Sequence, residues 1–510
     1  MKILDATLRD GGYYTNWDFD KMTVDRYLQS MNHLPIDYLE IGYRNKLKNA
    51  YHGKYFYMPI YELEDIRKKT NKKISIILME DDVKIEDLPE LLTPIQGLAD
   101  MIRIAFGPKH IKFAIDLARE VKKYGFEVGF NVMYMSEWLQ DLSFFDDLVG
   151  VDKVADVFYM VDSFGGVFPE DVRKIVEVIR SKTNCPLGFH GHDNLHMALA
   201  NALTALDSGV EYIDATVLGM GRGAGNLIME LFLTVMNNKR QLPVDFYELE
   251  RVVSTFTPLW KEHLWGSNLP YMVAGVNSFS QGKVMDWETN PFYNYKSILQ
   301  ALNTAGSNED YKEFSVKTDW KSADKVLLVG NGPSVINNIN GLKTFLEKHP
   351  EMVIIHTNTQ FVPLFNEFPH TQYFSLVGRE GRRLERALEG KRFSGTCIIT
   401  PQPGKTGTYI PESLKSLTEK IDALTYDEGF LDQQSVLALQ IAEKLGAKEV
   451  YLTGYDGAAK NKITLSDFNL LSQTENLLLE AKKRFSVFES LTETNYDLPN
   501  NANLFYQLRK

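Results

Sequence analysis

Met101-Ile102-Arg103-Ile104-Ala105-Phe106, the stretch Ile111–Tyr124, and Val128-Gly129-Phe130-Asn131-Val132-Met133-Tyr134 read as one strand–helix–strand unit. The flanking runs are short, bounded and mostly apolar. The segment between them repeats its apolar residues at helical spacing. The same alternation continues outward in both directions. Strand-like segments lie at Ile3–Leu8, Tyr38–Tyr43, Ile74–Met79, Met101–Phe106, Val128–Tyr134, Val157–Asp162, Leu187–His192 and Tyr212–Leu218. Amphipathic helices, such as Pro169–Lys182 and Leu195–Ser208 with Gly209 as its C-cap, separate most of them. Eight β/α repeats predict an α/β fold whose residues 1–240 form a (β/α)8 TIM barrel, with its active site at the C-terminal ends of the strands. A doubly wound open sheet is the alternative.

The chain has 510 residues, 44% hydrophobic and 24% charged, enough for two or three cores. A formal net charge of -11 without a long basic run argues against nucleic acid or an acidic membrane surface as the main partner. Cys185 and Cys397 show no metal spacing, the start carries no leader pattern, and no segment has the length of a membrane span. The expectation is a soluble cytoplasmic protein, homo-oligomeric, acting on small molecules.

The chemistry concentrates in two places. Asp5-Ala6-Thr7-Leu8-Arg9-Asp10-Gly11-Gly12 sets Arg9 beside Asp10 at the end of the first strand, and His190-Gly191-His192 projects two imidazoles to one side of the seventh. An aspartate with two histidines suits Mn2+ or Mg2+, with Zn2+ a weaker expectation. An adjacent arginine suits a carboxylate or a developing oxyanion. In a closed barrel, strands 1, 7 and 8 are neighbours, so these residues would meet at one mouth. The sixth strand carries no lysine for a Schiff base, and none lies near His190, which favours metal catalysis. Glu40, in the second strand, reads as either a functional residue or a structural partner of Arg9. Arg222, in the loop Gly219–Asn226, reads as a holder of substrate carboxylate or phosphate. Asp162 reads as a substrate contact or a hydrogen-bond partner of the next loop.

These three motifs, Asp5–Gly11, His190-X-His192 and the glycine-rich loop ending in Asn226, resemble the metal-dependent barrel aldolases, lyases and Claisen-type synthases. That superfamily includes 4-hydroxy-2-oxovalerate aldolase, hydroxymethylglutaryl-CoA lyase and isopropylmalate synthase. The resemblance spans roughly residues 1 to 280. It implies that Asp10, His190 and His192 ligate a divalent metal, with Asn226 as a fourth ligand. It also implies that Arg9 stabilises an enolate oxygen and that Glu40 sits near the metal. The sequence departs from the hydroxy-oxo-acid aldolases at Tyr13, where those enzymes carry a proton-moving histidine. Tyr13 either moves the proton or shapes the pocket.

Residues 241–316 lose the repeat and read as a helical appendage (Phe246–Trp265, Phe292–Asn303), and Asn303–Asp310 reads as a linker. Residues 322–510 read as a Rossmann-like α/β domain, with strands at Lys325–Val329, Met352–His356, Gln372–Val377, Thr396–Thr400 and Glu449–Thr453. A helix at Gln433–Leu445 precedes the last of these. Gly330-Asn331-Gly332-Pro333-Ser334 follows the first of these strands and opens a helix, where backbone N–H groups can face a phosphate. The spacing is not G-x-G-x-x-G, and the second strand ends in His356-Thr357-Asn358 rather than an acid, so dinucleotide binding is not expected. With Tyr451–Asp456, these motifs resemble bacterial sialyltransferases and the pterin-pyrophosphokinase-like domains of polysaccharide gene clusters. The resemblance implies a nucleotide or nucleotide-sugar site at Gly330, Asn331, Gly332, Ser334 and Asn358. A purely structural domain is the alternative.

The resulting expectation is a divalent-metal aldolase acting through a 2-oxo-acid enolate on an aldehyde or sugar acceptor, in surface-polysaccharide sugar synthesis. An acyl-CoA Claisen-type synthase or lyase and a non-catalytic nucleotide-binding scaffold are the alternatives.

Overall fold

Strands buried on both faces read as continuous apolar runs, and this is how the barrel strands were legible. They are β1 (Lys2–Asp5), β2 (Tyr38–Tyr43), β3 (Lys73–Met79), β4 (Met101–Phe106), β5 (Glu127–Val132), β6 (Val157–Asp162), β7 (Leu187–Gly191) and β8 (Tyr212–Ala215). All pair in parallel in sequence order, and β1 closes the barrel on β8 through the register Lys2↔Tyr212 to Asp5↔Ala215. The computed structural model describes residues 1–509 except 139, 141, 291, 292, 294, 305–312, 389–392, 402–406, 432, 458–464 and 499–502. The linker expected at Asn303–Asp310 therefore lies mostly outside the described residues. Contacts divide the chain into two units, Met1–Met285 and Asp286–Lys510.

The first strand is shorter than its apolar run. Asp5 ends it by accepting hydrogen bonds from Thr7 N at 3.0 Å and Thr7 Oγ1 at 2.9 Å, which turns the backbone. Thr7–Thr15 is then helical, so Arg9 and Asp10 sit on a short helix above β1 and not on an extended strand. Likewise β8 stops at Ala215, and Val217–Gly219 forms a 3₁₀ turn. The helix expected from Leu195 begins at Ala198, whose N–H donates to Asp193 Oδ1 at 3.0 Å. The segment 241–316 is divided: helices Phe246–His263 and Leu269–Val276 belong to the first unit and Tyr295–Thr304 to the second.

The second unit is an open parallel sheet of β9 (Lys325–Val329), β10 (Val353–His356), β11 (Gln372–Ser375), β12 (Thr396–Ile399), β13 (Thr418–Lys420), β14 (Glu449–Thr453) and β15 (Val487–Ser490). Their order is β13-β12-β11-β10-β9-β14-β15, so the winding reverses between β9 and β14. In open α/β sheets a crevice forms outside the strand ends at such a reversal.

Candidate active site

Alternate residues of the even-numbered strands face the barrel axis and stack in layers. Tyr38, Met101, Val157 and Tyr212 form the lowest, part of one apolar cluster. Two residues further along the same strands stand Glu40, Arg103, Tyr159 and Asp214. Arg103, fully buried, donates from Nη1 to Glu40 Oε2 at 2.9 Å and from Nη2 to Asp214 Oδ2 at 2.7 Å, with its guanidinium 3.9 Å from the Tyr159 ring centre. Its Nη2 also reaches Asn131 Oδ1 of β5 at 2.6 Å. Above this ionic layer the side chains of β4 and β6 shrink to Ala105 and Val161, while an irregularity in β2 between Glu40 and Gly42 brings Tyr43 to the wall. A cavity of about 400 Å³ opens there, with Ala105 and Val161 among its walls.

The ionic layer supports the mouth. Glu40 Oε1 accepts from Arg9 Nε at 2.8 Å, and Arg9 Nη1 pairs with Asp10 Oδ1 at 2.5 Å. Asp214 Oδ2 lies 3.0 Å from His190 Nδ1, which turns the other ring nitrogen, Nε2, to within 3.6 Å of Asp10 Oδ2. His192 Nδ1 donates to the Asp162 carbonyl at 2.7 Å. Asp10, His190 and His192 each offer a ligand atom, and all three lie within 4.8 Å of one another. Asn226 Nδ2 donates to Asp10 Oδ2 at 2.5 Å, while its Oδ1 is buried without a partner. Gly221 is required here, since a Cβ would stand 2.3 Å from Asn226 Nδ2. One oriented nitrogen per histidine, a buried carboxylate and an unsatisfied amide oxygen fit a divalent ion.

Burial acts to raise the Asp10 carboxyl, but Arg9, then His190 and His192, outweigh it and leave the group below its usual range. Burial and the neighbouring His190 push the His192 imidazole down to about 4, keeping it neutral as a ligand must be.

In sequence and structure this arrangement has known counterparts. The family described as HMGL-like matches residues 108–255. The N-terminal domain of a candidate aldolase from Bacteroides vulgatus is 54% identical with a TM-score of 0.57, covering 59% of this chain and 100% of that one. The chain belongs to the HMGL-like family. An oxaloacetate decarboxylase of Mycobacterium tuberculosis is 27% identical to this HMGL-like protein over 253 residues, 49% of this chain and 73% of that one. A 4-hydroxy-2-oxovalerate aldolase of Bacillus cereus is 28% identical over 293 residues, 54% of this chain and 83% of that one. The carboxyl transferase domain of Rhizobium etli pyruvate carboxylase shares the fold, at 13% identity and a TM-score of 0.51. The HMGL-like barrel is that of a carbon–carbon lyase of the metal-dependent class.

The structure brings Arg9, Asp10, Tyr13, His190, His192 and Arg222 together as walls of the cavity. Asn226 lies against Asp10 behind them. Tyr13 Oη is 3.5 Å from Tyr43 Oη. Glu40 does not line the cavity. With both oxygens engaged by Arg9, Arg103 and Ser75, it is the partner of Arg9. Asp162 is also turned away, its carboxylate accepting from Gly166 N at 3.1 Å and Val167 N at 3.2 Å. It holds the next loop, the second of the two roles its position allowed. Arg103, Asp214 and Tyr43 went unread in the sequence. The available signal was a charge standing inside an apolar strand, in Ile102-Arg103-Ile104 and Ile213-Asp214-Ala215.

In the second unit, Gly330, Asn331, Gly332 and Asn358 line a crevice of about 560 Å³, together with Arg379, Arg383 and Tyr455. Ser334 does not. Its N–H donates to Asp456 Oδ2 at 2.9 Å, and its hydroxyl bonds Asp456 Oδ1. The backbone position expected to hold a phosphate is thus filled by the protein's own carboxylate. Asn358 is 3% exposed and donates to Glu380 Oε1 at 3.2 Å.

Proposed function

We propose that the barrel is an aldolase that makes or breaks a carbon–carbon bond next to the carbonyl of a 2-oxo acid, using Mn2+ or Mg2+. The observation that carries this reading is the buried convergence of Asp10, His190 and His192 beneath an arginine with an unused donor. A divalent ion held by these three, with Asn226 Oδ1 as a further donor, supplies Lewis acidity at the 2-oxo carbonyl.

Arg9 is fixed through Nε by Glu40 and through Nη1 by Asp10, leaving Nη2 buried and without a hydrogen-bond partner. That N–H stabilises charge as it develops on the enolate oxygen. Asp214 and the Asp162 carbonyl hold the two imidazoles in the tautomer that presents Nε2. In the addition direction the carbon next to the donor's carbonyl loses a proton to solvent as the enolate forms, and the freed electron pair bonds the aldehyde carbon. The carbonyl pair moves onto the aldehyde oxygen, which takes a proton. Tyr13 is the hydroxyl suited to deliver it. Burial and the adjacent Tyr13 raise the Tyr43 phenol far above its usual range, so Tyr43 stays protonated.

Proton NMR of deuterium exchange into pyruvate and larger 2-oxo acids, with Mn2+, tests the reading. Exchange is expected in the wild type and absent in Asp10→Asn. A metal-loaded wild type that exchanges no 2-oxo acid overturns it. Because one relative is named an oxaloacetate decarboxylase, CO2 release from oxaloacetate without an aldehyde is a second reading of the same centre. Both reactions pass through a pyruvate enolate.

For the second unit we infer a Rossmann-like role in recognising a nucleotide or nucleotide-sugar, supported by the crevice at the winding reversal. Because Asp456 fills the glycine turn, the ligand's phosphate faces Arg379 and Arg383 across the crevice. Calorimetry with CMP and other nucleotides tests this, and no heat with any of them overturns it. The surface-polysaccharide context rests on the resemblance of this unit's motifs.

A further inference from the structure

The barrel mouth has a roof that does not come from the eight repeats. Ser278, Phe279, Ser280, Gln281 and Lys283 line the cavity, and none of them has a part in the enolate chemistry above. Gln281, 3% exposed, fastens this segment: Oε1 accepts from Ala224 N at 3.0 Å, and Nε2 donates to the Ser163 carbonyl at 3.1 Å. The next residue, Gly282, lies against the Arg222 guanidinium. A Cβ on Gly282 would stand 2.5 Å from Arg222 Nη2. On its other side the Arg222 guanidinium covers the Tyr13 ring, 4.6 Å from its centre. Arg222 is therefore held between Tyr13 and the roof, next in space to the residue that precedes Lys283.

The charges along the cavity wall are uneven. Among the described lining residues Asp10 is the one carboxylate, and it belongs to the metal trio. The cations are Arg9, Arg222 and Lys283. Arg9 is committed to Asp10 and Glu40 at the reacting end, whereas Arg222 and Lys283 stand at the roof. A 2-oxo-acid donor brings one carboxylate to the metal end, and Arg222 and Lys283 line the roof end. A small neutral aldehyde would use neither roof cation, while an anionic group there would gain two charge-assisted contacts. The Ser163, Ser278 and Ser280 residues along the wall add neutral partners for hydroxyl groups.

We propose that the acceptor is a hydroxylated aldehyde carrying a phosphate or carboxylate at its far end, and that Arg222 and Lys283 select that anion. The proposal rests on the aldolase reading above. Its test uses the full-length, Mn2+-loaded protein with pyruvate and three aldehydes: glyceraldehyde 3-phosphate, succinic semialdehyde and uncharged glyceraldehyde. One anionic aldehyde is expected to exceed glyceraldehyde in kcat/KM by about 100-fold, and which one does so distinguishes phosphate from carboxylate. Lys283→Met is expected to cut that preference about ten-fold, mainly through KM, and Lys283→Arg to restore it.

Calorimetry with unreactive glycerol 3-phosphate and glycerate, against glycerol, gives a readout free of turnover. Binding of an anion to the wild type that weakens in Lys283→Met supports the site. Equal kcat/KM for charged and neutral aldehydes, or a preference unchanged in Lys283→Met, overturns the inference while deuterium exchange leaves the donor reading standing. If no 2-oxo acid exchanges, the donor reading falls, and the calorimetry alone judges the anion site.

Discussion

Both units place a cavity outside the C-terminal ends of parallel strands, yet the two cavities differ in what lies behind them. Behind the barrel mouth is a closed ring of strands whose second layer is ionic: Glu40, Arg103 and Asp214 with Tyr159. Behind the crevice of the second unit is an open sheet, with the buried neutral pair His356 and Gln372 (2.8 Å) on the adjacent strands β10 and β11. Closure brings side chains from β2, β4, β5, β7 and β8, and from the helix after β1, to one axis, so charges far apart in the chain can satisfy one another. An open sheet collects residues mainly from the strands at its reversal. The first arrangement can hold ligands in fixed geometry for chemistry, and the second is the one for which a recognition role is proposed above.

The sharpest way to break this contrast is at the metal trio. Asp10→Ala is expected to lower deuterium exchange by about 1,000-fold or more and to abolish tight Mn2+ binding by calorimetry. Retained exchange would mean that the buried charges are only structural.

Arg103→Met addresses the ionic layer itself. Removing this cation strands two buried carboxylates, and a loss of about 3–5 kcal/mol is expected in denaturant unfolding of the barrel. Neutralising the carboxylates as well, in Arg103→Met/Glu40→Gln/Asp214→Asn, is expected to recover much of that stability but not the activity. A triple variant with full activity would show that the layer does not position the site.

The second unit should respond to acid instead. Burial pushes the His356 imidazole down from its ordinary 6.5 to about 4. The fold therefore favours the neutral ring. Its contribution is fully present above pH 6.5 and is lost as the pH falls towards 4, at about 1.4 kcal/mol per pH unit. His356→Gln is expected to flatten that acid limb in urea titrations followed between pH 7 and 4. An unchanged slope would remove His356 as its cause.

The smallest expected effect is at Asp214→Asn. It keeps the size of the side chain but weakens the orientation of His190, so metal affinity should fall about 10- to 100-fold. A change well below that range would leave Asp10 and His192 as the ligands that matter.

The parts legible in the sequence were those whose partners are local or repeated. Eight buried strands announce themselves as apolar runs, and the His190–His192 spacing is a property of one strand. Strand ends were less legible. Asp5 stops β1 three residues before the apolar run ends, because its carboxylate bonds Thr7 and bends the backbone. Long-range satisfaction was not legible at all. Arg103 finds Asp214 111 residues away, and Ser334 finds Asp456 122 residues away. In the first case the unseen partner turned an apparently odd strand residue into a support for the site. In the second it occupied the turn expected for a phosphate.

The roof over the barrel mouth has a consequence for how such an enzyme can diversify. The groups that would perform the reaction hang from strand ends and from the helix after β1, braced by the ionic layer beneath them. Of the two groups that would choose the acceptor, Arg222 stands in the loop after β8 and Lys283 on a separate stretch, residues 278–283. That stretch is held to the barrel by the Gln281 amide and by Ser278 Oγ, 3.0 Å from Ser136 Oγ. Part of the choice is thus carried by a length of chain other than the one that carries reactivity, joined to the barrel by a few hydrogen bonds. Exchanging that short stretch can retarget the enzyme without disturbing the centre it covers.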